Sequence, residues 1–89
     1  MMKKIVTVTE VDGEGLEALL GQQVLLFCLN YIYAGKLSGV NSAFVQLENA
    51  KIVYETGPFT SEGYKDAQAL PGNVWYVQAG AIESYGPGK

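Results

Sequence analysis

The chain has 89 residues, enough for one domain, and its nine carboxylates outnumber its six lysines to give a net charge of −3. It contains no arginine and no histidine, so a histidine-based triad is excluded and the clustered positive charge of a typical nucleic-acid surface is missing. Charged residues make up only 17% of the chain, below the usual quarter. We therefore expect a non-enzymatic protein without cofactor or metal, part of whose apolar surface is covered by another copy of the chain.

The chain begins with a predicted strand and a short predicted helix. Residues 3–11 are rich in β-branched side chains, which favours an extra N-terminal strand within segment 1–12. Residues 14–20 carry acidic side chains in their first turn and are followed by Gly21, a pattern typical of a short helix. The apolar stripe of this helix comprises Leu16, Leu19 and Leu20. Two helical turns are not stable alone, so the stripe is expected to lie on a sheet.

The rest of the chain is predicted to be a meander of β-strands. The predicted strands are residues 22–29, 31–40, 44–56, 66–70 and 74–78. The first is apolar at every position from Val24 onward, which is typical of a strand buried on both faces, one toward the helix and one toward the barrel interior. Gly35 interrupts the second and indicates a sharp bend or a close backbone approach. Residues 79–89 are rich in glycine and alanine and are expected to fray. The pattern predicts a single mainly β domain over residues 1–89, a small, strongly bent five-stranded barrel or half-barrel.

Cys28 is the only cysteine and follows an apolar run. An intrachain disulfide is therefore impossible, and the thiol is interpreted as a small buried hydrophobe in a reducing compartment. The sequence has no signal-peptide pattern and no apolar run of the length that a membrane helix needs. These observations predict a cytoplasmic protein that does not bind a membrane.

Two sequence motifs resemble the signatures of a known family. The first comprises Gly35, Leu37, Asn41, the run Phe44-Val45-Gln46-Leu47, and Ala50. The second is residues 70–77, LPGNVWYV. With a short helix before them, and at their separation, they resemble the proximal and distal signatures of the Sm-like (LSm/Hfq-type) family, of which this chain would be a divergent member. The likeness extends from about Leu16 to Val77.

The resemblance implies a bent five-stranded sheet that assembles into a homo-oligomeric ring and binds single-stranded RNA around its pore. In that family an aromatic side chain stacks on the base, an asparagine reads its edge, and an arginine of the distal motif is oriented by an aspartate of the proximal one. The residues that the resemblance assigns to RNA binding are Asn41, Phe44, Gln46, Gly72 and Asn73. The strand after the glycine turn would pair with the fourth strand of the neighbouring subunit, and its interface residues are Val74, Trp75, Tyr76 and Val77.

The chain departs from the family pattern at the RNA site. Asn41 stands where the family usually has aspartate, and Pro71 stands where the arginine is expected. Two registers of the proximal motif remain open. In one, counted from Gly35, Phe44 takes the place of the family's buried methionine and Val45 that of its base-reading asparagine. In the other, Phe44 stacks on a base, worth about 1–3 kcal/mol, while Gln46 reads the edge of the base. The favoured interpretation is that neither residue binds RNA, with Phe44 in the core and Gln46 a solvated strand residue.

Two functions of different classes follow from these observations. One is an Sm-like ring that binds single-stranded RNA through a non-standard pore site. The other is an oligomeric assembly or protein-interaction module without RNA binding, which the acidity of the chain and the missing arginine favour. An aromatic set comprises Tyr31, Tyr33, Tyr54, Tyr64 and Tyr76. It is compatible with a binding face, since aromatic side chains are enriched at interfaces, but such residues more often cover a barrel or a subunit contact. An unrelated SH3-like or OB-like barrel is the remaining fold alternative.

Overall fold

The computed structural model describes residues 15–89, and the fold over this range is mainly β. The strands are β1 (Gln23–Cys28), β2 (Ile32–Val40), β3 (Phe44–Glu55), β4 (Asp66–Ala69), β5 (Val74–Gln78) and β6 (Ile82–Pro87). A first 3₁₀ helix spans Leu16–Leu19, and a second spans Ala79–Ala81 between β5 and β6. The predicted strand at residues 3–11 lies outside the described residues. The predicted mainly β class is confirmed, and the predicted positions of β1 to β5 agree with the structure to within two residues at each end.

The six strands form one antiparallel sheet in the order β4-β3-β2-β1-β6, with β5 also paired to β3. Both β4 and β5 lie along the same edge of β3: β5 pairs with its first half and β4 with its second half. Among residues 15–89 no pairing joins β4 or β5 to β6, so the described sheet is open rather than a closed barrel. The length of β3 allows this single strand to carry two partners in succession.

β3 has an irregular backbone where it passes from one partner to the other. Asn49 has a φ of 50°, a left-handed conformation that is uncommon for a residue other than glycine. Opposite this point, a Cβ atom on Gly35 would lie 3.0 Å from the carbonyl oxygen of Glu48, and the β2–β3 register shifts between Ala34 and Lys36. The close backbone approach predicted at Gly35 is therefore confirmed, and the irregularity includes Asn49 of the facing strand.

Apolar side chains are buried on both faces of the sheet. The larger cluster comprises Val24, Leu26, Leu37, Val45, Leu47, Ala50 and Val77. The smaller cluster, on the other face of β1, comprises Leu25, Ala34 and Val53, with Phe27, Ile32 and Tyr64 packed against it. The prediction that β1 is buried on both faces is confirmed.

The first helix differs in two ways from the predicted one. It is a single 3₁₀ turn, and only Leu16 and Leu19 of its apolar stripe pack against the larger cluster, while Leu20 is 47% exposed. The helix therefore packs on the main core itself, and the loop residue Tyr64 covers the opposite face of β1. The short segment allows only part of the stripe to face inward, because a 3₁₀ turn repeats every three residues.

The C-terminal segment also differs from the prediction. Residues 79–89 were expected to fray, yet they contain the second 3₁₀ helix and strand β6. β6 pairs with β1 over Val24 to Cys28, which supplies backbone partners to the second edge of β1. The sequence did not predict this strand because the segment is rich in glycine and alanine, which have low β-propensity. The strand is stabilised instead by its pairing with β1.

Candidate functional site

Phe44 and Gln46 lie on one exposed face of β3, and Val45 points to the core. Phe44 is 40% exposed and Val45 is completely buried. The favoured interpretation that placed Phe44 in the core is therefore wrong, because alternation along the strand gives the core position to Val45. The ring of Phe44 makes an edge-to-face contact with Tyr76 of β5, with ring centroids 5.2 Å apart.

A chain of side-chain hydrogen bonds crosses this face from β2 to β5. The Ser38 hydroxyl donates to Oε1 of Gln46 at 3.0 Å, and Nε2 of Gln46 donates to the Tyr76 hydroxyl at 2.8 Å. Both polar ends of the Gln46 side chain thus have partners within the protein. A nucleotide base that hydrogen-bonded to Gln46 would have to replace one of these two hydrogen bonds.

Asn41 shapes the turn between β2 and β3. Its Oδ1 accepts hydrogen bonds from the backbone N–H groups of Ala43 at 2.7 Å and Phe44 at 2.9 Å. This is an Asx-type turn, in which a short side chain takes the part of a backbone acceptor. The side-chain oxygen of Asn41 is therefore occupied by the turn.

The glycine turn lies at the far end of β5 from Asn41. Gly72 has a φ of 82°, and the carbonyl of Asn73 accepts a hydrogen bond from the backbone N–H of Asn49. Glu48 pairs with Val74 at this end of β5, whereas Phe44 pairs with Gln78 at the other. The structure thus brings Phe44 and Gln46 together, and places Gly72 and Asn73 near Asn49 of β3 instead.

The four residues assigned to a subunit interface divide between the two faces of β5. Val74 and Tyr76 are exposed, whereas Val77 is buried and Trp75 is half-buried against the larger cluster. β5 pairs with β3 of its own chain along its whole length, so one of its edges already has a strand partner. Within residues 15–89 its other edge has none.

A cleft of about 290 Å³ opens beside this face. Its lining consists of Cys28, Leu29, Asn30, Tyr31, Tyr33, Tyr76, Val77, Gln78 and Ala81. None of these side chains is a lysine or a carboxylate, and three of them are tyrosines. The cleft therefore offers aromatic surface and neutral hydrogen-bonding groups.

Three parts of the chain meet to form the cleft. The turn after β1 carries Leu29, whose backbone N–H donates to the carbonyl of Ala81 in the second 3₁₀ helix at 3.2 Å. Tyr31 and Tyr33 flank the start of β2, with ring centroids 6.3 Å apart. Tyr76 belongs to both surfaces, since it lines the cleft and also contacts Phe44.

The pKa values of two ionisable groups in the cleft, Cys28 and Tyr33, are both raised. Burial raises the pKa of the Cys28 thiol, because an apolar environment disfavours the thiolate. The pKa of Tyr33 is also raised, first by burial and then by the negative charges that Cys28 and Tyr31 would carry when ionised. Cys28 is half-buried rather than fully buried, and its neutral thiol adds no charge to the cleft.

Sequence reasoning identified the tyrosines of the cleft but not the cleft itself. Tyr31 and Tyr33 are two residues apart, which places them on one side of an extended segment. The contributions of Leu29, Gln78 and Ala81 depend on the packing of the second 3₁₀ helix against the turn after β1. No local pattern in the sequence signals that contact.

No family model, curated protein or solved structure matches this chain. Among residues 15–89, no three histidine, cysteine or acidic side chains are grouped as they would have to be to hold a metal ion. In the same part of the chain, no helix has both the length and the apolar character needed to cross a membrane.

Proposed function

We propose that this chain is a protein-interaction module that binds an extended, uncharged peptide segment in the tyrosine-lined cleft. The observation that carries the proposal is the cleft of about 290 Å³ with three tyrosines and no charged side chain in its lining. Aromatic-lined grooves of this kind recognise proline-rich peptides in the polyproline II conformation, whose preformed shape lowers the entropic cost of binding.

The polar groups of the cleft suit a peptide backbone. The side-chain amides of Asn30 and Gln78 and the hydroxyls of Tyr31 and Tyr33 can each donate a hydrogen bond to a peptide carbonyl. A polyproline II segment exposes its carbonyls and makes no internal hydrogen bonds, so it presents acceptors along its length. Leu29, which is 76% exposed, supplies apolar contact area at the rim.

Single-stranded RNA is the second candidate, and the exposure of Phe44 beside Gln46 favours it. In this arrangement a base could stack on Phe44, and a ring of subunits would bring several copies of Lys36 together. Three observations weigh against it: the Asn41 side-chain oxygen and both polar ends of Gln46 already have hydrogen-bond partners, and the cleft lining holds no cation. Membership of the Sm-like family is part of this candidate and rests on the two sequence motifs, around Gly35 and over residues 70–77.

A homo-oligomeric ring is part of both candidates. It is supported by the low charged fraction of the sequence and by the exposed side chains of Val74 and Tyr76 on β5. Light scattering at micromolar concentration tests it, and a monomeric mass would remove the ring from either function.

The test of function compares four fluorescently labelled probes. These are a polyproline peptide, a glycine–serine peptide of the same length, oligouridylate and oligoadenylate, each titrated at low and at physiological salt. We expect the polyproline peptide to bind and the glycine–serine peptide not to bind. Equal affinity for the two peptides would contradict the proposal. Oligonucleotide binding that Phe44→Ala abolishes and Tyr31→Ala leaves intact would favour RNA instead.

Matched tyrosine variants locate the binding surface. Tyr31→Ala removes one wall of the cleft and is expected to weaken polyproline binding about tenfold, which corresponds to about 1.4 kcal/mol. Tyr54→Ala is the control, because Tyr54 is similarly exposed but hydrogen-bonds to Gln68 outside the cleft. A loss of the same size in both variants would show that the cleft is not the site.

Cys28 gives a readout that needs no substitution. Its thiol lines the cleft, so a bound peptide should slow its alkylation by iodoacetamide. The glycine–serine peptide serves as the control. An alkylation rate that is unchanged at saturating polyproline would place the peptide elsewhere.

A further inference from the structure

The Lys89 ammonium group binds to backbone carbonyls of the loop between β3 and β4. Its Nζ donates hydrogen bonds to the backbone carbonyls of Thr56 at 2.9 Å, Pro58 at 2.8 Å and Gly63 at 2.8 Å. A lysine ammonium carries three N–H donors and no acceptor. The three carbonyls therefore match its hydrogen-bonding capacity completely.

Two aromatic rings of the same loop face this ammonium. Nζ of Lys89 lies 5.1 Å from the ring centroid of Tyr64 and 5.8 Å from that of Phe59. Both distances fall within the range of a cation–π interaction. Phe59 is otherwise 66% exposed, so this contact gives a role to an aromatic side chain that has little other burial. Backbone dipoles and ring faces thus stabilise the positive charge.

The loop is organised by its own hydrogen bonds. The N–H of Ser61 donates to the carbonyl of Pro58 at 3.0 Å, and the N–H of Lys65 donates to the carbonyl of Thr56 at 3.3 Å. Gly57 has a φ of 69°, a conformation that a residue with a side chain rarely adopts. These contacts hold the carbonyls of the loop in one orientation, which reduces the cost of organising them around a cation.

The terminal segment reaches the loop through a close contact at Gly88. Its N–H donates to the carbonyl of Gln23 at 2.8 Å, and a Cβ atom on Gly88 would lie 2.8 Å from the carbonyl carbon and oxygen of Val24. The next N–H, that of Lys89, donates to the Tyr64 hydroxyl at 3.1 Å. Only glycine permits this approach, because the clash would be with backbone atoms.

We propose that the loop of residues 56–64 is a binding site for a primary ammonium group, which Lys89 occupies in cis. The three carbonyls select for a group with three N–H donors, so a quaternary ammonium would fill the space without satisfying them. A guanidinium is planar and presents its donors in a fork, which does not match three converging carbonyls. Through Lys89 the site joins the end of β6 to Tyr64, the loop residue that covers the smaller cluster.

A chemical rescue experiment tests the proposal. Lys89→Ala removes the resident ammonium and is expected to lower the melting temperature by about 4–8 °C. Methylammonium chloride should then restore part of this loss in Lys89→Ala and change the unsubstituted protein no more than sodium chloride does. Tetramethylammonium chloride at the same concentration should restore none of it.

Lys65→Ala is the matched control. This substitution removes the same charge as Lys89→Ala, and Lys65 directly follows the loop. However, the Nζ of Lys65 pairs with the exposed Glu55 carboxylate at 3.4 Å rather than with the loop carbonyls. It should show a small loss of stability and no specific response to methylammonium, since exposed ion pairs contribute little. Equal responses of Lys65→Ala and Lys89→Ala to methylammonium would overturn the proposal.

Amide NMR shifts provide a second readout that does not depend on stability. In Lys89→Ala, methylammonium should move the backbone signals of Gly57, Gly63 and Tyr64 in a saturable way, and tetramethylammonium should not. Gly88→Ala keeps Lys89 but displaces it, so this variant should respond to methylammonium as Lys89→Ala does. Shifts that are absent, or equal for the two cations, would show that the loop is not an ammonium site.

Discussion

Gly35 of β2 and Glu48 of β3 approach each other so closely that a Cβ atom on Gly35 would lie 3.0 Å from the Glu48 carbonyl oxygen. The same atom would lie 3.2 Å from the Cα atom of Ala50. These contacts are with the backbone of β3 on both sides of Asn49, the residue at which the strand changes partner. The close approach of β2 and β3 thus depends on a residue without a side chain beside a residue in a left-handed conformation.

Gly35→Ala is expected to lower the free energy of unfolding by about 1–3 kcal/mol, because the added methyl group forces the two strands apart. Urea denaturation measures the change. Gly80→Ala is the control, since a Cβ atom at Gly80 would meet no atom within 4 Å. A Gly35→Ala variant as stable as Gly80→Ala would show that the strands separate at no cost.

Asn49 can be tested by substitution in two directions. Asn49→Ala should cost about 1 kcal/mol, because alanine lacks the local side-chain hydrogen bonding that lets asparagine adopt a positive φ. Asn49→Gly should cost nothing or increase the free energy of unfolding, since glycine adopts this conformation without steric cost. The order of the two urea midpoints checks the prediction, and a more stable alanine variant would contradict it.

The sequence predicts the strands of this fold better than it predicts their contacts. β1 to β3 are rich in apolar or β-branched residues, and Gly35 indicates a close backbone approach by its position within an apolar run. β6 could not be identified in this way, since its residues become a strand only through pairing with β1.

Alternation along β3 was ambiguous for a similar reason. Phe44 and Gln46 are two residues apart and therefore share one face of the strand. Only the location of the core decides whether that face or the face of Val45 is buried. The binding cleft and the Lys89 site combine residues from distant segments, and their formation depends on the second 3₁₀ helix and on the contact at Gly88. Neither contact has a local sequence signal.

Asn41 offers a test of the turn between β2 and β3. Asn41→Ala removes the acceptor of two backbone hydrogen bonds and should lower the free energy of unfolding by about 1 kcal/mol. Asn41→Asp keeps a side-chain oxygen at the same position and should remain within about 0.5 kcal/mol of the unsubstituted protein. Urea midpoints check both values. An equal loss in the two variants would indicate that the amide group, rather than the oxygen, supports the turn.

Substitutions at Leu29 and Leu26 distinguish an effect on peptide binding from an effect on the free energy of unfolding. Leu29→Ala should change the free energy of unfolding by less than about 0.5 kcal/mol, because its side chain is 76% exposed. It should nevertheless weaken polyproline binding, since Leu29 lines the cleft. Leu26→Ala removes a fully buried side chain and should cost about 2–5 kcal/mol. A large loss of stability in Leu29→Ala, or unchanged peptide binding, would contradict the role assigned to this residue.

Alkaline pH should destabilise the fold through Cys28 and then, at higher pH, through Tyr33. Burial raises the pKa of both groups in the folded protein, so the unfolded chain releases these protons at lower pH. The stability contributed by the neutral groups is complete below their unfolded pKa values and is lost as the pH rises through the folded ones. Urea denaturation at a series of alkaline pH values should show this decline.

Cys28→Ala should flatten the first part of the decline and Tyr33→Phe the second, because neither replacement ionises. Leu29→Ala is the control, because this exposed leucine carries no ionisable group and its replacement should leave the shape of the profile unchanged. If the free energy of unfolding of Cys28→Ala fell with pH as steeply as that of the unsubstituted protein, burial of the Cys28 thiol would not be the cause of the decline. A steeper slope in Tyr33→Phe would likewise mean that the hydroxyl of Tyr33 opposes the decline rather than contributing to it.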